Sequence, residues 1–158
     1  MALDFFDYPD LTQFALDYQW EGIEPFTLIA WDQGRLWELR WDEKQVHQLE
    51  LAAGRPHIWS SATLYDPVIQ AKRKSWFAAW LEGRDDFSKP AVLDFHRMTG
   101  DGDSWNDLVM NRNGVVQTVS ITVVEKNSNQ LKMDYIDLLR ESVSQAEIAL
   151  SREVVTAS

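Results

Sequence analysis

The stretch of residues 57–67 most constrains the fold, because it begins with the residues of a β-strand and ends with the start signal of an α-helix. Asp66 stands directly before Pro67. An aspartate in that position accepts hydrogen bonds from free backbone N–H groups, and proline has no N–H to leave unpaired at the first helical position. Four polar side chains lie between the two signals: Ser60, Ser61, Thr63 and Tyr65. The stretch therefore predicts that a strand and a helix meet here, with polar groups gathered at the junction.

Alternation of apolar and polar residues predicts further strands at residues 35–41, 44–51, 115–126 and 130–136, and residues 26–31, apolar on both faces, predict a central strand. A short loop that contains Gly34 joins the first two as a hairpin. The alternation gives three rows of apolar side chains: Trp37, Leu39 and Trp41; Val119, Ile121 and Val123; and Leu131, Met133 and Tyr135. We expect each row to be the apolar face of its strand.

Apolar residues at helical spacing predict helices at residues 4–18, 67–82, 89–99 and, more weakly amphipathic, 137–150. Pro9 suits the first turn of the first helix. No repeat or linker divides the chain, and we expect the last residues to be frayed. The prediction is a single α+β domain over residues 1–158, with five to six antiparallel strands packed against two to four helices.

Composition excludes several classes of function. The net charge of −10 argues against a nucleic-acid or anionic-membrane binder, and no segment approaches the length of a membrane span. The absence of cysteine removes disulfides, thiolate metal sites and a cysteine nucleophile from this chain. We expect a cytoplasmic protein without a cofactor.

The junction residues Ser60, Ser61, Thr63 and Tyr65 either line a site or cap the helix that follows. No Gly-x-Ser-x-Gly elbow surrounds the serines, which weakens a serine-hydrolase reading. Arg73 falls within the apolar stripe of the same helix. It either holds a carboxylate or phosphate, or packs its stem while its head reaches water or a buried acid.

His96 lies on an apolar helix face, where a hydrogen-bonded core histidine is commoner than an acid, base or ligand. His47 and His57 lack the spacing of zinc ligands. The row that contains Ser120, with Thr118 and Thr122, faces either solvent or a cleft. The Gly/Asp-rich residues 100–104 are a predicted turn, since no glutamate closes a calcium-loop pattern.

Several segments together resemble one family. They are Ile-Glu-Pro-Phe-Thr-Leu-Ile at 23–29, Leu-Trp-Glu-Leu-Arg-Trp-Asp at 36–42, residues 58–66, Arg73-x-x-Trp76-Phe77, Phe95-His96, Thr-Val-Ser-Ile-Thr at 118–122 and Met133-x-Tyr135. This pattern, over about residues 1–136, resembles the C-terminal half of NRDE proteins, the transport-and-Golgi-organisation family in its bacterial form. The resemblance implies half of an αββα sandwich similar to N-terminal-nucleophile hydrolases.

The resemblance implies no catalytic residue in this chain. The family's nucleophile is a cysteine next to the initiator methionine, followed by Asn-Arg-Asp-Glu, whereas this chain has Ala2 and no such motif. A missing terminus removes the α-amino base together with the nucleophile. The family's second half supplies supporting polar residues to a cleft, which makes candidates of Ser60, Ser61, Arg73 and Ser120. Apolar residues begin almost at Met1, which suggests that the chain starts within a larger architecture.

The favoured interpretation is a non-catalytic scaffold that associates with a second copy or with a separately encoded N-terminal half. Half of a two-sheet sandwich exposes the sheet face that its partner would cover. One alternative is a domain that binds an anionic small molecule with Arg73 and the junction hydroxyls. Another is a hydrolase that uses Ser60 or Ser61 as its nucleophile.

Overall fold

The computed structural model describes residues 3–61 and 63–150, in two compact units, Met1–Lys74 and Ser75–Ser158. All pairs of strands in the described residues are antiparallel, and helices accompany the sheets, so that the predicted α+β class is confirmed.

The first unit contains a three-stranded sheet, the N-terminal sheet, in the order β1-β2-β3. Its strands are β1 (Phe26–Asp32), β2 (Arg35–Trp41) and β3 (Val46–Leu51), close to the predicted bounds. Gln33 and Gly34, both with positive φ, form the hairpin turn between β1 and β2. A turn of this kind matches the right-handed twist of the flanking strands.

One face of the N-terminal sheet carries the core of the first unit. The fully buried Leu39 of β2 packs with Leu11 and Phe14 of α1 (Leu11–Asp17). The predicted row of Trp37, Leu39 and Trp41 is the core-facing row, because all three pair in register with Ala30, Leu28 and Phe26 of the core cluster. The opposite face of the sheet exposes Trp31 and Leu49.

The predicted helix at residues 4–18 is two elements, a 3-10 helix (Asp4–Asp7) and α1. Proline disfavours helical geometry in the residue before it, and Tyr8, which precedes Pro9, is extended. Asp10 then starts α1 anew, since its carboxylate accepts from the N–H of Gln13 at 2.8 Å. Pro9 therefore separates two elements and does not belong to the first turn of one.

The predicted strand at the start of residues 57–67 is absent, because residues 56–61 have no strand geometry. Their contacts are made by side chains. Trp59 Nε1 donates to the carboxylate of Glu38 at 2.7 Å, and His57 Nε2 donates to the carbonyl of Ala52 at 2.9 Å. The segment runs beside the N-terminal sheet without joining its backbone ladder.

The helix start at Pro67 is confirmed. Helix α2 (Pro67–Leu81) begins there, and the carboxylate of Asp66 accepts from the N–H of Ile69 at 2.9 Å. Gly83, in the left-handed region with a φ of 65°, follows its end. The last turns of α2 contribute Phe77 and Trp80 to the second unit.

Helix α3 (Lys89–Met98) packs on the end of α2 through aromatic rings. The ring centroids of Phe95 and Trp80 are 5.0 Å apart, and those of Phe95 and Phe77 are 5.6 Å apart. Ser88 is the residue before α3, but its side chain makes no capping hydrogen bond. The buried apolar residues of the second unit are Phe95, Met110 and Ile136.

The second unit also contains a small hairpin and a three-stranded sheet, the C-terminal sheet, in the order β6-β7-β8. The hairpin strands are β4 (Asn111–Arg112) and β5 (Val116–Gln117), and the sheet strands are β6 (Ser120–Lys126), β7 (Gln130–Asp137) and β8 (Ser142–Ala149). The predicted long strand at 115–126 is therefore two strands. Thr118 lies between them, and its hydroxyl oxygen accepts from the N–H of Met110 at 3.0 Å.

The predicted helix at residues 137–150 is wrong, since these residues form a turn and β8. Asp137 accepts from the N–H groups of Leu139 and Arg140, both at 2.9 Å, and Glu141 adopts a positive φ of 52°. That turn reverses the chain onto the free edge of β7, where the pairing outweighs a weak helical pattern. The prediction of frayed last residues falls on 151–158, outside the described residues.

The predicted apolar face of β7 is also wrong. Met133 and Tyr135 are exposed, whereas Asp134 and Ile136 on the opposite face are buried. The inward carboxylate is tolerated because Lys89 of α3 forms an ion pair with it.

No helix within the described residues is both long enough and apolar enough to cross a membrane.

Candidate functional site

The predicted junction residues line a groove of about 340 Å³ in the first unit, called here the hydroxyl groove. Its lining residues are Pro25, Phe26, Thr27, Ile29, Trp59, Ser60, Ser61 and Thr63. The structure thus gathers three of the sequence-predicted hydroxyls against the start of β1. The neighbouring Trp59–Glu38 contact was not predicted, because no local pattern indicates a side-chain bond between residues 21 positions apart.

Two hydroxyls of this groove bond to each other, and one of them also bonds to the backbone. Ser61 Oγ and Thr63 Oγ1 are 3.2 Å apart, and Ser61 Oγ accepts from the N–H of Leu64 at 3.2 Å. None of the described lining residues carries an imidazole, amine or carboxylate. A serine nucleophile needs an adjacent base, so the groove as described has the chemistry of a turn and a polar binding surface.

Tyr65 and Arg73 are brought to each other and not to the hydroxyl groove. Both are buried, and Arg73 Nη2 donates to the hydroxyl of Tyr65 at 2.8 Å. The guanidinium carbon also lies 3.8 Å from the centre of the tyrosine ring, which is a cation–π geometry. The head of Arg73 is therefore engaged inside the first unit, where this contact stabilises the start of α2.

His96 and Ser120 line a second groove, of about 430 Å³, called here the edge groove. It lies in the second unit between α3 and β6, and its lining residues are Val92, Leu93, His96, Leu108, Val109, Thr118 and residues 120–124. Thr118, Ser120 and Thr122 thus lie beside a cleft, although Ser120 and Thr122 share their sheet face with exposed Val124 and Tyr135. None of the residues that line this groove is an aspartate, glutamate, lysine or arginine.

His96 is not the core histidine that its sequence position favours, because its side chain is exposed at the mouth of the edge groove. Its ring lies edge-on to Phe95, with centroids 5.4 Å apart. Partial burial against these neighbours lowers the pKa of His96 below its ordinary value. The lowered pKa favours the neutral ring, which offers both a donor and an acceptor.

Two charged clusters were missed by the sequence reasoning. Lys89 pairs with Asp134 and, at 3.3 Å, with Glu125, while Gln145 donates to Asp134 at 3.2 Å. The hydrogen bond from Lys89 lowers the pKa of Asp134, and the same bond raises the pKa of Lys89. The sequence feature that indicates this cluster is Asp134, which lies between apolar residues of β7.

The second missed cluster is Asp42 with His47. His47 Nε2 donates to the Asp42 carboxylate at 2.6 Å, and the same carboxylate accepts from the N–H groups of Lys44 and Gln45. These bonds hold the pKa of Asp42 well below its usual range. The arrangement closes the β2–β3 turn and keeps its carboxylate charged.

Neither cluster forms a metal site. Within residues 3–61 and 63–150, no group of three or more histidine or acidic side chains is placed to hold an ion. The Gly/Asp turn at 100–104 is occupied by its own chain, since Asp103 accepts from the N–H of Trp105 at 3.0 Å and from the side-chain amide of Asn106 at 2.7 Å.

Comparison of the chain with models of known families, with curated proteins and with solved structures finds no match.

Proposed function

We propose that this chain is a non-catalytic scaffold that works as one component of an assembly, with another polypeptide covering its apolar sheet faces. The carrying observation is the exposure of large apolar side chains on both sheets. Trp31 and Leu49 of the N-terminal sheet are 53% and 55% exposed, and Val124 and Ile148 of the C-terminal sheet are 56% and 60% exposed.

These side chains are grouped by the strand register and are not scattered. In the N-terminal sheet, Ile29 and Leu49 flank Glu38, and Trp31 lies beside Leu36 on the face opposite the core. Contiguous exposed apolar surface on a protein typically marks an interaction site, because its burial on association is favourable.

The C-terminal sheet carries an equivalent face. Val124 pairs with Met133, and Leu131 pairs with Ile148, so that these residues share one side of the sheet with Tyr135. Lys89 marks the other side of the sheet, where it meets Asp134. Within the described residues, the apolar side has no helix or strand over it that buries these four exposed residues: Val124, Met133, Tyr135 and Ile148.

Two features support a non-catalytic role. The chain has no cysteine, and the hydroxyl groove has no titratable group among its described lining residues. The occupant that the NRDE resemblance suggests is an N-terminal half that carries the nucleophile. A second copy of this chain is the other occupant that would hide the same apolar faces.

Sedimentation of the purified chain tests the proposal. We expect association that increases with concentration in the micromolar range, and weakening by roughly tenfold when Leu49→Lys or Ile148→Lys introduces a charge into a face that becomes buried. The matched control is Leu16→Lys, which changes an exposed leucine of α1 outside both sheet faces. A compact monomer throughout this range, unchanged by the face variants, would contradict self-assembly, and mixing with a candidate N-terminal half then tests the remaining occupant.

A serine-reactive fluorophosphonate tests the absence of catalysis. We expect no covalent labelling, because Ser61 bonds to Thr63 and to the backbone and has no base beside it in the groove. Labelling that the Ser61→Ala substitution abolishes would replace the scaffold proposal with a serine-dependent hydrolase.

A further inference from the structure

The pairing of β6 with β7 decides which backbone groups of β6 are free. Val119 O accepts from the N–H of Leu138 at 2.9 Å, and Asn127 N donates to the carbonyl of Gln130 at 3.0 Å. In an antiparallel ladder, hydrogen-bonded pairs alternate with non-bonded pairs, so the residues of β6 that bond to β7 are the odd-numbered ones. The N–H and C=O groups of Ser120, Thr122 and Val124 therefore point away from β7.

These three residues face the free edge of the C-terminal sheet. β6 is the outer strand in the order β6-β7-β8, and no described strand pairs with its other side. Among the described residues, the backbone N–H and C=O groups of Ser120, Thr122 and Val124 that point away from β7 form no hydrogen bond. An edge of this kind is a template for a further strand.

The edge groove runs along this row. Its lining includes five consecutive residues, 120–124, whose side chains alternate between the two faces of the sheet. A cleft that touches both alternating sets lies along the edge of the strand, where the backbone groups that point away from β7 are located. Its volume of about 430 Å³ is in the range of natural ligand clefts.

The wall opposite the strand is apolar and uncharged. α3 contributes Val92, Leu93 and His96 to it. Partial burial lowers the pKa of the histidine ring, which favours its neutral form. In a chain with a net charge of −10, a groove without any permanent charge selects an uncharged occupant.

We propose that the edge groove binds an extended, uncharged polypeptide segment of a partner protein, which adds to β6 as a fourth strand of the C-terminal sheet. Free N–H and C=O groups on every second residue recur at about 6.8 Å, a spacing that another extended chain matches along its length. A bound helix has its own backbone groups paired internally and leaves the row unsatisfied. Backbone bonds supply affinity, and contacts with Val92, Leu93 and His96 select neutral, apolar side chains.

This inference goes beyond the scaffold proposal, because it is carried by backbone groups at a strand edge and not by the apolar sheet faces. The two proposals also fail separately. Leu49→Lys and Ile148→Lys alter sheet faces and lie outside the lining of the edge groove.

The probe is a short synthetic peptide of alternating valine and threonine with blocked termini, added to the full chain and followed by amide NMR. We expect the amide signals of Ser120, Thr122 and Val124 to shift at up to millimolar peptide and their hydrogen exchange to slow. The same peptide with every backbone nitrogen methylated keeps its side chains but loses its donors, and we expect it to produce neither effect.

A backbone variant tests the same edge from the protein side. Thr122→Pro removes an N–H that points away from β7, so the ladder of the sheet is kept. We expect peptide binding to weaken by roughly tenfold, and the control Thr122→Val, which keeps the N–H, to bind within about twofold of the original chain. If Thr122→Pro does not fold, the comparison of the two peptides on the unaltered chain still tests whether backbone hydrogen bonds hold the peptide.

Three results would overturn the inference. One is equal binding of the methylated and unmethylated peptides, which would assign recognition to side chains alone. Another is no amide shift along β6 at millimolar peptide. The third is protection of the three amides that increases with protein concentration in the absence of peptide, which would identify the occupant as a second copy of this chain.

Discussion

At the scale of single residues, two tryptophans of β2 show how one polar atom changes the contribution of a buried ring to folding stability. Trp41 Nε1 donates to the carbonyl of Ile23 at 2.9 Å, and its ring stacks on Trp20 with centroids 5.4 Å apart. Trp37 lies four residues earlier on the same face, but within the described part of the chain its buried Nε1 has no hydrogen-bond partner. A buried donor without a partner costs about 1–3 kcal/mol.

This contrast predicts unequal effects of the same substitution. Trp37→Phe removes an unpaired donor, whereas Trp41→Phe removes a hydrogen bond and leaves the carbonyl of Ile23 without it. Both substitutions shrink a ring by a similar volume, so we expect Trp41→Phe to be the more destabilising by about 1–3 kcal/mol. Urea unfolding of the two variants measures the difference, and equal midpoints would show that the ring volume alone matters.

The Lys89–Asp134 ion pair predicts that folding stability decreases at both low and high pH. Asp134 has a lowered pKa when folded, so its contribution is present above its unfolded pKa of about 3.9 and is lost as pH falls through the folded value. Lys89 has a raised pKa, so its contribution is present below its unfolded pKa of about 10.4 and is lost as pH rises through the folded value.

We therefore expect Asp134→Asn to lower the urea midpoint at neutral pH and to flatten its decline in acid. The amide keeps the shape of the carboxylate but not its charge, which isolates the ion pair from packing. The exposed pair of Lys132 and Glu147, 3.5 Å apart, supplies a control through Glu147→Gln, for which we expect a small change. An acid limb as steep in Asp134→Asn as in the original chain would contradict the assignment.

At the scale of elements, the two long helices begin by different means. Asp66 caps α2 with its carboxylate, whereas the side chain of Ser88 makes no capping bond to α3. α3 is held by Phe95 against Phe77 and Trp80. A local signal starts the first helix, and tertiary contacts hold the second.

The difference predicts the outcome of two alanine substitutions. Asp66→Ala removes the acceptor for the N–H of Ile69, and we expect a loss of about 1 kcal/mol. Ser88→Ala removes a hydroxyl that makes no capping bond, so we expect a change within about 0.5 kcal/mol. Thermal unfolding of both variants provides the measurement, and similar losses would show that Ser88 caps its helix in solution.

At the scale of the whole molecule, charge and apolar surface oppose each other. The chain carries a net charge of −10, and its sheets expose Trp31, Leu49 and Ile148. Like charges keep copies of the chain apart, whereas burial of apolar surface draws them together. The balance between these two terms controls the self-association that the scaffold proposal includes.

Salt is the means to change that balance. Because added salt screens repulsion between exposed charges beyond about 10 Å at 0.1 M, we expect self-association to strengthen as ionic strength rises. Sedimentation at low and high sodium chloride gives the dependence. Association that weakens with salt would indicate an interface made by ion pairs, and the apolar faces would then not be its main contact.

Sequence alone determined the features that depend on near neighbours along the chain. The β1–β2 hairpin follows from alternation and from Gly34, and the start of α2 follows from Asp66 before Pro67. The gathering of Ser60, Ser61 and Thr63 also follows from their places in one short stretch. Each signal acts within a few residues, so no distant partner is needed to interpret it.

Only the tertiary structure decided what depends on distant partners. Residues 142–149 became a strand because β7 offered a free edge, and Asp134 turned inward because Lys89 of α3 met it there. His96 and Ser120 are also far apart in sequence, so no local pattern indicated that they line one groove. A local pattern records the preference of a segment, but the free energy of pairing and ion-pair burial depends on which segments the fold brings together.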